Sequence, residues 1–308
     1  MCFTQNFWNL FISGIANGLV YALIALGYTL VYGVLQLINF AHSEVFMSGG
    51  FGGYFILNAV IGSSQPSGLA SVGFVVLGIL GGAVAGGVVA FLLERVAYRP
   101  LRRRNAPRLA FLISAIGASY FMYNLAGKEF GRDAVSIPSP FTNGTVFTVF
   151  GAQVQTYYIV IAVATLVMLV LLDRVVAGTR LGKGIRAVAQ DSQTASLMGV
   201  NIDRVISQTF VLGGLLGGAA GFLFGLNAGV VYTMGFTPSL KAFTAAVLGG
   251  IGNIRGAVLG GLVLGVAENL GVACTQSSWR DVIAFGILVL VLLIRPTGIL
   301  GERLGRSA

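Results

Sequence analysis

The sequence has 308 residues, 56% hydrophobic and 9% charged, with a mean hydropathy of +0.88 and a formal net charge of +9. A soluble domain carries charge at about a quarter of its positions, so this chain lacks the polar residues to cover a water-facing surface. Its basic excess falls in three short segments, Arg95–Arg108, Arg174–Arg186 and the tail after Arg295. That placement argues against a nucleic-acid partner and fits Lys/Arg-rich loops on the cytoplasmic side of a lipid bilayer.

In chain order, apolar runs of membrane length predict spans at Phe7–Leu35, Val45–Ile61, Ala70–Leu93, Leu109–Ala126, Tyr157–Leu172, Thr209–Val231, Ala257–Ala273 and Val282–Ile294. The expected fold is all-α, a polytopic transmembrane helical bundle of about eight spans with broken or re-entrant helices. It forms a single domain over 1–308. The first Lys or Arg is Arg95, so the amino terminus lacks the basic start of a cleavable signal. Counting crossings back from the first basic loop puts that terminus outside and the carboxyl terminus in the cytoplasm.

The first two spans are separated by Asn39-Phe40-Ala41-His42-Ser43-Glu44, which holds the chain's sole histidine. Ionisable residues inside apolar spans are costly and point to function. The segment reads either as a cytoplasmic turn or as an unwound stretch lining a translocation path. Gly78, Gly82 and Gly86, and later Gly213, Gly217, Gly221 and Gly225, recur at four-residue spacing. Such rows let helix backbones approach closely. Gly127–Thr156 is an external loop in which Thr145–Val149 alternates like a hairpin strand.

The cytoplasmic segment 178–207 carries no phosphate loop. In Gly178–Gly184 the first Gly stands one residue too near the Gly-Lys pair, and no Ser or Thr follows the Lys. Val188, Ala195, Met198 and Ile202 share the spacing of one helix face, and Asp191 and Ser192 are positioned to cap its start. Such a helix either rests on lipid headgroups or fills a groove on a soluble partner. Thr237–Lys241 then opens a short helix. Its Gly-rich break, Ile251–Gly256, contains Asn253 and Arg255 and is expected to face the interior of a re-entrant hairpin. Glu268 and Asn269 are placed near the outer end of that hairpin, in an interfacial role. Cys2 and Cys274 read as small apolar residues and not as a disulfide or a metal site. No catalytic constellation and no cofactor motif is present in the sequence.

Three segments carry a resemblance: Tyr21–Gly33 running into Asn39–Glu44; Arg186-Ala187-Val188-Ala189-Gln190-Asp191 with Met198-Gly199-Val200; and Ala246–Ala257. With these the chain closely resembles the LivH-type permease subunits of bacterial branched-chain amino acid ABC importers. The resemblance implies an inner-membrane subunit that is not itself an enzyme. It would work with two cytoplasmic ATP-binding subunits, a second related permease subunit and an extracytoplasmic solute-binding protein. It makes Arg186, Ala187, Gln190, Asp191, Ala195, Met198 and Gly199 the ATPase-coupling segment. The translocation path is expected to involve Asn39, His42, Ser43, Glu44, Lys241, Asn253 and Arg255. Such permeases usually have Gly where this chain has Ser43, which keeps urea permeases of the same family open. A self-sufficient secondary carrier is the alternative from a different class.

Overall fold

The computed structural model describes residues 2–61, 69–141, 144–149, 151–273 and 276–301. Cys274 and the basic residues of the tail beyond 301 lie outside them. Helices α1 (Cys2–Leu35), α2 (His42–Ile61) and α3 (Leu69–Leu93) come first. α3 runs on through a single π-helical turn, Glu94–Tyr98, into α4 (Arg99–Arg103). Helix α5 (Arg108–Glu129), the hairpin β1 (Thr145–Val149) and β2 (Ala152–Gln155), and α6 (Thr156–Gly178) follow. The remainder is α7 (Arg180–Gln190), α8 (Ser192–Leu197), α9 (Ile202–Ala228), α10 (Phe236–Gly249), α11 (Ile254–Gly271) and α12 (Arg280–Ile294).

Among the described residues seven helices are long and apolar enough to cross a membrane, against the eight spans expected. The difference lies in α12, which at 15 residues is about 22 Å long against a hydrocarbon core of about 30 Å. The expected strand Thr145–Val149 is present and pairs antiparallel with β2. The hairpin sits over the start of α1, where the Gln153 amide donates to Asn9 Oδ1 at 3.0 Å.

α1 is the axis of the bundle. From Gly18 to Val31 it is buried on every side, with Leu23, Ile24, Ala25 and Leu26 fully enclosed; a helix apolar all round belongs in a core. α3, α5, α6 and α12 ring it and turn Val72, Val84, Ile113, Val163, Leu166 and Leu293 outward. Those exposed aliphatics are the surface expected against lipid.

Glycine sets how closely these helices meet. The row Gly213, Gly217 and Gly221 faces α1 and α2: a Cβ on Gly213 would stand 3.2 Å from the Gly27 carbonyl oxygen, and one on Gly217 3.0 Å from His42 Nε2. Contact with α3 falls instead to Gly214 and Gly218, one residue further round the helix. There a Cβ on Gly82 would lie 2.8 Å from the Gly218 carbonyl oxygen. α9 is therefore small on two faces, so α1, α2 and α3 all reach its backbone, as dispersion-driven packing in lipid requires.

Candidate functional site

α1 ends where Gln36 takes a left-handed conformation, φ 53°, uncommon for a residue with a Cβ. The chain then turns back, and α2 begins beside Gly27 of α1, where a Cβ would stand 2.5 Å from His42 Nε2. Gly27 precedes the end of α1 by eight residues, so α2 starts about 12 Å inside the bundle. The segment is therefore no surface turn, and Asn39, His42, Ser43 and Glu44 are all buried. The unwound stretch is shorter than expected, however. It ends at Ala41, and His42, Ser43 and Glu44 form the first turn of α2. Ser43 is thus helical, and the backbone freedom of Gly is not required there.

These four side chains have different surroundings. Asn39 Oδ1 accepts from the Ala41 amide at 3.1 Å and from the Tyr98 hydroxyl at 2.8 Å, tying the turn to the π-helical turn. His42 is wedged between the glycines of α1 and α9 and packs against Tyr28 with the rings tilted, their centroids 4.7 Å apart. Its place is a packing place. Glu44 Oε1 accepts from Ser43 and from Ser119 of α5, both at 3.0 Å, while Oε2 has no partner. Gly235, immediately before α10, packs on the Ser43 carbonyl. The starts of α2 and the short helix α10 therefore meet inside the bundle.

Lys241 lies apart from that junction in a buried ion pair. Its Nζ is 2.7 Å from Glu268 Oε1 and 2.8 Å from Asp281 Oδ1. The Tyr21 hydroxyl donates to Glu268 Oε2 at 3.1 Å. α1, α10, α11 and α12 meet at this cluster. Glu268 and Asn269 lie in the last turn of α11, and each is 1% exposed. Two buried charges of opposite sign are each other's solvation in lipid.

A cavity of about 620 Å³ opens between the end of α1, α7 and the second break. Asn253, Arg255, Arg186 and Gln190 line it with Tyr32, Gln36 and Asp173. The fold thus joins two residues expected on the path with two expected to couple, and it separates both from Glu44 and Lys241. The break itself is Gly250–Asn253, and Arg255 already stands in the first turn of α11. Asn253 caps α11, its Oδ1 accepting from the Gly256 amide at 3.0 Å.

The expected single coupling helix is two, with an elbow at Asp191. Asp191 caps α8 as expected, accepting from the Gln193 amide at 2.9 Å. Arg186 donates to the Val176 carbonyl near the end of α6, and the exposed Gln190 closes α7. Val188 and Ala195 are buried and Ala187 half-buried, fixing the elbow to the bundle. Met198 does not share their face. It is 81% exposed beside Leu197 at 87%, because the helix ends there and Gly199 turns the chain at φ 84°.

Two features gave no sign in the sequence. Glu94 reads as the first residue of a basic loop, yet it is fully buried. It is held by Arg102 at 3.0 Å and by the Ser207 hydroxyl at 2.7 Å, while Arg102 also binds Asp203 at 2.6 Å. It stands at the start of the π-helical turn. The chain after α12 also folds back on α10, the Ile299 and Leu300 amides donating to the Leu248 and Gly249 carbonyls at 2.8 and 3.0 Å. These bonds satisfy carbonyls that a helix end leaves orphaned.

Broken helices inside a polytopic bundle, with polar groups held at the breaks, define a membrane transport protein. The chain belongs to the family described as branched-chain amino acid transport system / permease component, whose model matches residues 10–292. It is 43% identical over 306 residues to the high-affinity branched-chain amino acid transport system permease protein LivH of Escherichia coli, covering 97% of this chain and 96% of the relative. It is 42% identical over 296 residues to the permease protein BraD of Pseudomonas aeruginosa, covering 94% of each. A probable LivH of Methanocaldococcus jannaschii is 26% identical over 294 residues, covering 91% of this chain and 88% of the relative. No solved structure matches significantly.

Proposed function

We propose that this chain is the membrane-spanning permease subunit of an ATP-driven importer of branched-chain aliphatic amino acids. The observation that carries the reading is the α7–α8 elbow. It presents Leu197 and Met198 to solvent at the basic end of a bundle whose relatives are named as branched-chain permeases. Two adjacent exposed apolar side chains on a cap held by Asp191 and Gly199 suit a groove on a soluble subunit. Two cytoplasmic ATP-binding subunits, a second related permease subunit and an extracytoplasmic solute-binding protein complete the assembly. The basic end faces the cytoplasm with the carboxyl terminus, and the hairpin end faces outward with the amino terminus.

ATP binding in the partner subunits moves the elbow. Ala187, Val188 and Ala195 pass that motion to α7 and α9, and the cavity walled by Arg186, Gln190, Asn253 and Arg255 opens or closes at the cytoplasmic side. Asn39, Ser43 and Glu44 form a second polar site at the α2–α10 junction, apart from that cavity. His42 and Lys241 keep the helices around it in register. The urea reading and the self-sufficient carrier draw no support from the relatives.

The test is co-expression with the neighbouring transport subunits, reconstitution into proteoliposomes, and uptake of labelled leucine with and without ATP and binding protein. Uptake requiring both, and lost together with ATPase co-purification in Leu197→Asp/Met198→Asp, is the expected result. ATP-independent uptake by this chain alone, indifferent to those substitutions, overturns it.

A further inference from the structure

Three acidic side chains are fully enclosed among the described residues, Glu44, Glu94 and Glu268. The protein supplies two of them with a cation: Arg102 for Glu94 at 3.0 Å, and Lys241 for Glu268 at 2.7 Å. Glu44 is 5% exposed and, among the described residues, no Lys or Arg reaches it within ion-pair distance. Two hydroxyls, Ser43 and Ser119, orient Oε1 and leave Oε2 unpartnered. A buried carboxylate without a cation is costly, and here the cost falls at a particular place. It is the point inside the bundle where α2 and α10 begin against each other, Gly235 on the Ser43 carbonyl. Around it α5 is a thin outer wall, its Ser119 only half-buried, and Phe236 at the start of α10 is 64% exposed.

We propose that Glu44 Oε2 receives the ammonium group of the transported solute, so that the cation missing from this site is the α-ammonium of an amino acid in transit. The proposal rests on the importer reading above and deepens it by assigning the polar contact within the membrane. An ammonium has three N–H donors, and charge-assisted bonds to a carboxylate are about twice as strong as neutral ones. Oε1, already accepting two hydroxyls, is held still; Oε2 is the free acceptor. Urea can donate N–H bonds to Oε2 but, being neutral, brings no positive charge to offset the buried carboxylate.

The experiment uses the complete transporter in proteoliposomes, with ATP-driven uptake of labelled leucine and ATP hydrolysis measured side by side. Two leucine fragments serve as competitors, isoamylammonium, which keeps the ammonium, and 4-methylpentanoate, which keeps the carboxylate. Binding-protein occupancy is held constant and checked separately. In wild type, isoamylammonium is expected to inhibit uptake and 4-methylpentanoate to have no effect. Glu44→Gln is expected to lower leucine uptake about tenfold or more and to abolish inhibition by isoamylammonium, while the complex still assembles. Glu44→Gln transport equal to wild type, or equal inhibition of both proteins by the amine, overturns the assignment. Should Glu44→Gln not assemble, absence of amine inhibition in wild type is itself sufficient to overturn the proposal. Absence of ATP-dependent uptake in wild type instead refutes the importer reading, a separate outcome.

Discussion

Glu268→Gln tests whether the ion pair holds the bundle together. The substitution keeps the size of the side chain and leaves the Lys241 ammonium, 7% exposed, with Asp281 alone at 2.8 Å. Removing one partner of a buried pair costs about 3–5 kcal/mol. Asp281 is 54% exposed, and a pair of that kind returns at most about 1 kcal/mol. The net loss is therefore about 2–4 kcal/mol. Lys241→Met/Glu268→Met removes both charges at similar volume, and an apolar replacement of a buried pair is close to neutral. The assay is reversible unfolding of the purified chain in detergent, comparing Lys241→Met and Glu268→Met with the double in a thermodynamic cycle. Each single variant should lose most of that energy and the double should recover it. A double variant as unstable as the two single losses combined would show that Lys241 and Glu268 do not act as a pair, and would refute the reasoning.

Other outcomes follow from the packing and the caps. Gly218→Val places side-chain atoms on the Gly82 and Gly86 backbones, which cannot move aside as side chains do. It should lower the melting temperature by about 5 °C or more, whereas Gly117→Ala, with nothing within 4 Å, should leave it unchanged or slightly raised. Glu94→Ala strips Arg102 of its buried partner and frees the Ser207 hydroxyl. It is expected to destabilise the α3–α9 contact by about 2–4 kcal/mol, read as faster hydrogen exchange in Glu94–Arg103. The Thr194 hydroxyl, with the Thr194 and Gln193 amides, holds the Asp191 carboxyl below its ordinary range. A lowered folded value means the cap stabilises α8 above that ordinary range and releases it as pH falls through the lowered value. Protection factors in residues 192–198, corrected for the intrinsic pH dependence of amide exchange, should therefore fall at acid pH in wild type and be pH-independent in Asp191→Ala.

Hydropathy, glycine spacing and charge placement are local properties, so the sequence alone determined the long apolar helices, the existence of the two breaks, the strand Thr145–Val149 and the capping role of Asp191. It also marked Asn39–Glu44 and Asn253 as polar residues at helix interruptions. Which of those polar groups is satisfied depends on chain reversals that no local pattern contains. The turn at Gly250–Asn253 brings Glu268 onto Lys241, 27 positions earlier, and converts two isolated charges into a pair. The approach of α1 and α9 encloses His42 between glycines, while Glu44, two residues later on α2, meets only the hydroxyls of Ser43 and Ser119. Adjacent residues thus acquire opposite roles because a helix turns successive side chains toward different neighbours. Met198 had the spacing of the buried face of its helix, but the helix ends one residue earlier at Leu197, and the spacing no longer applies. Tertiary structure decided these points, since burial and pairing are properties of what a side chain meets and not of the segment that carries it.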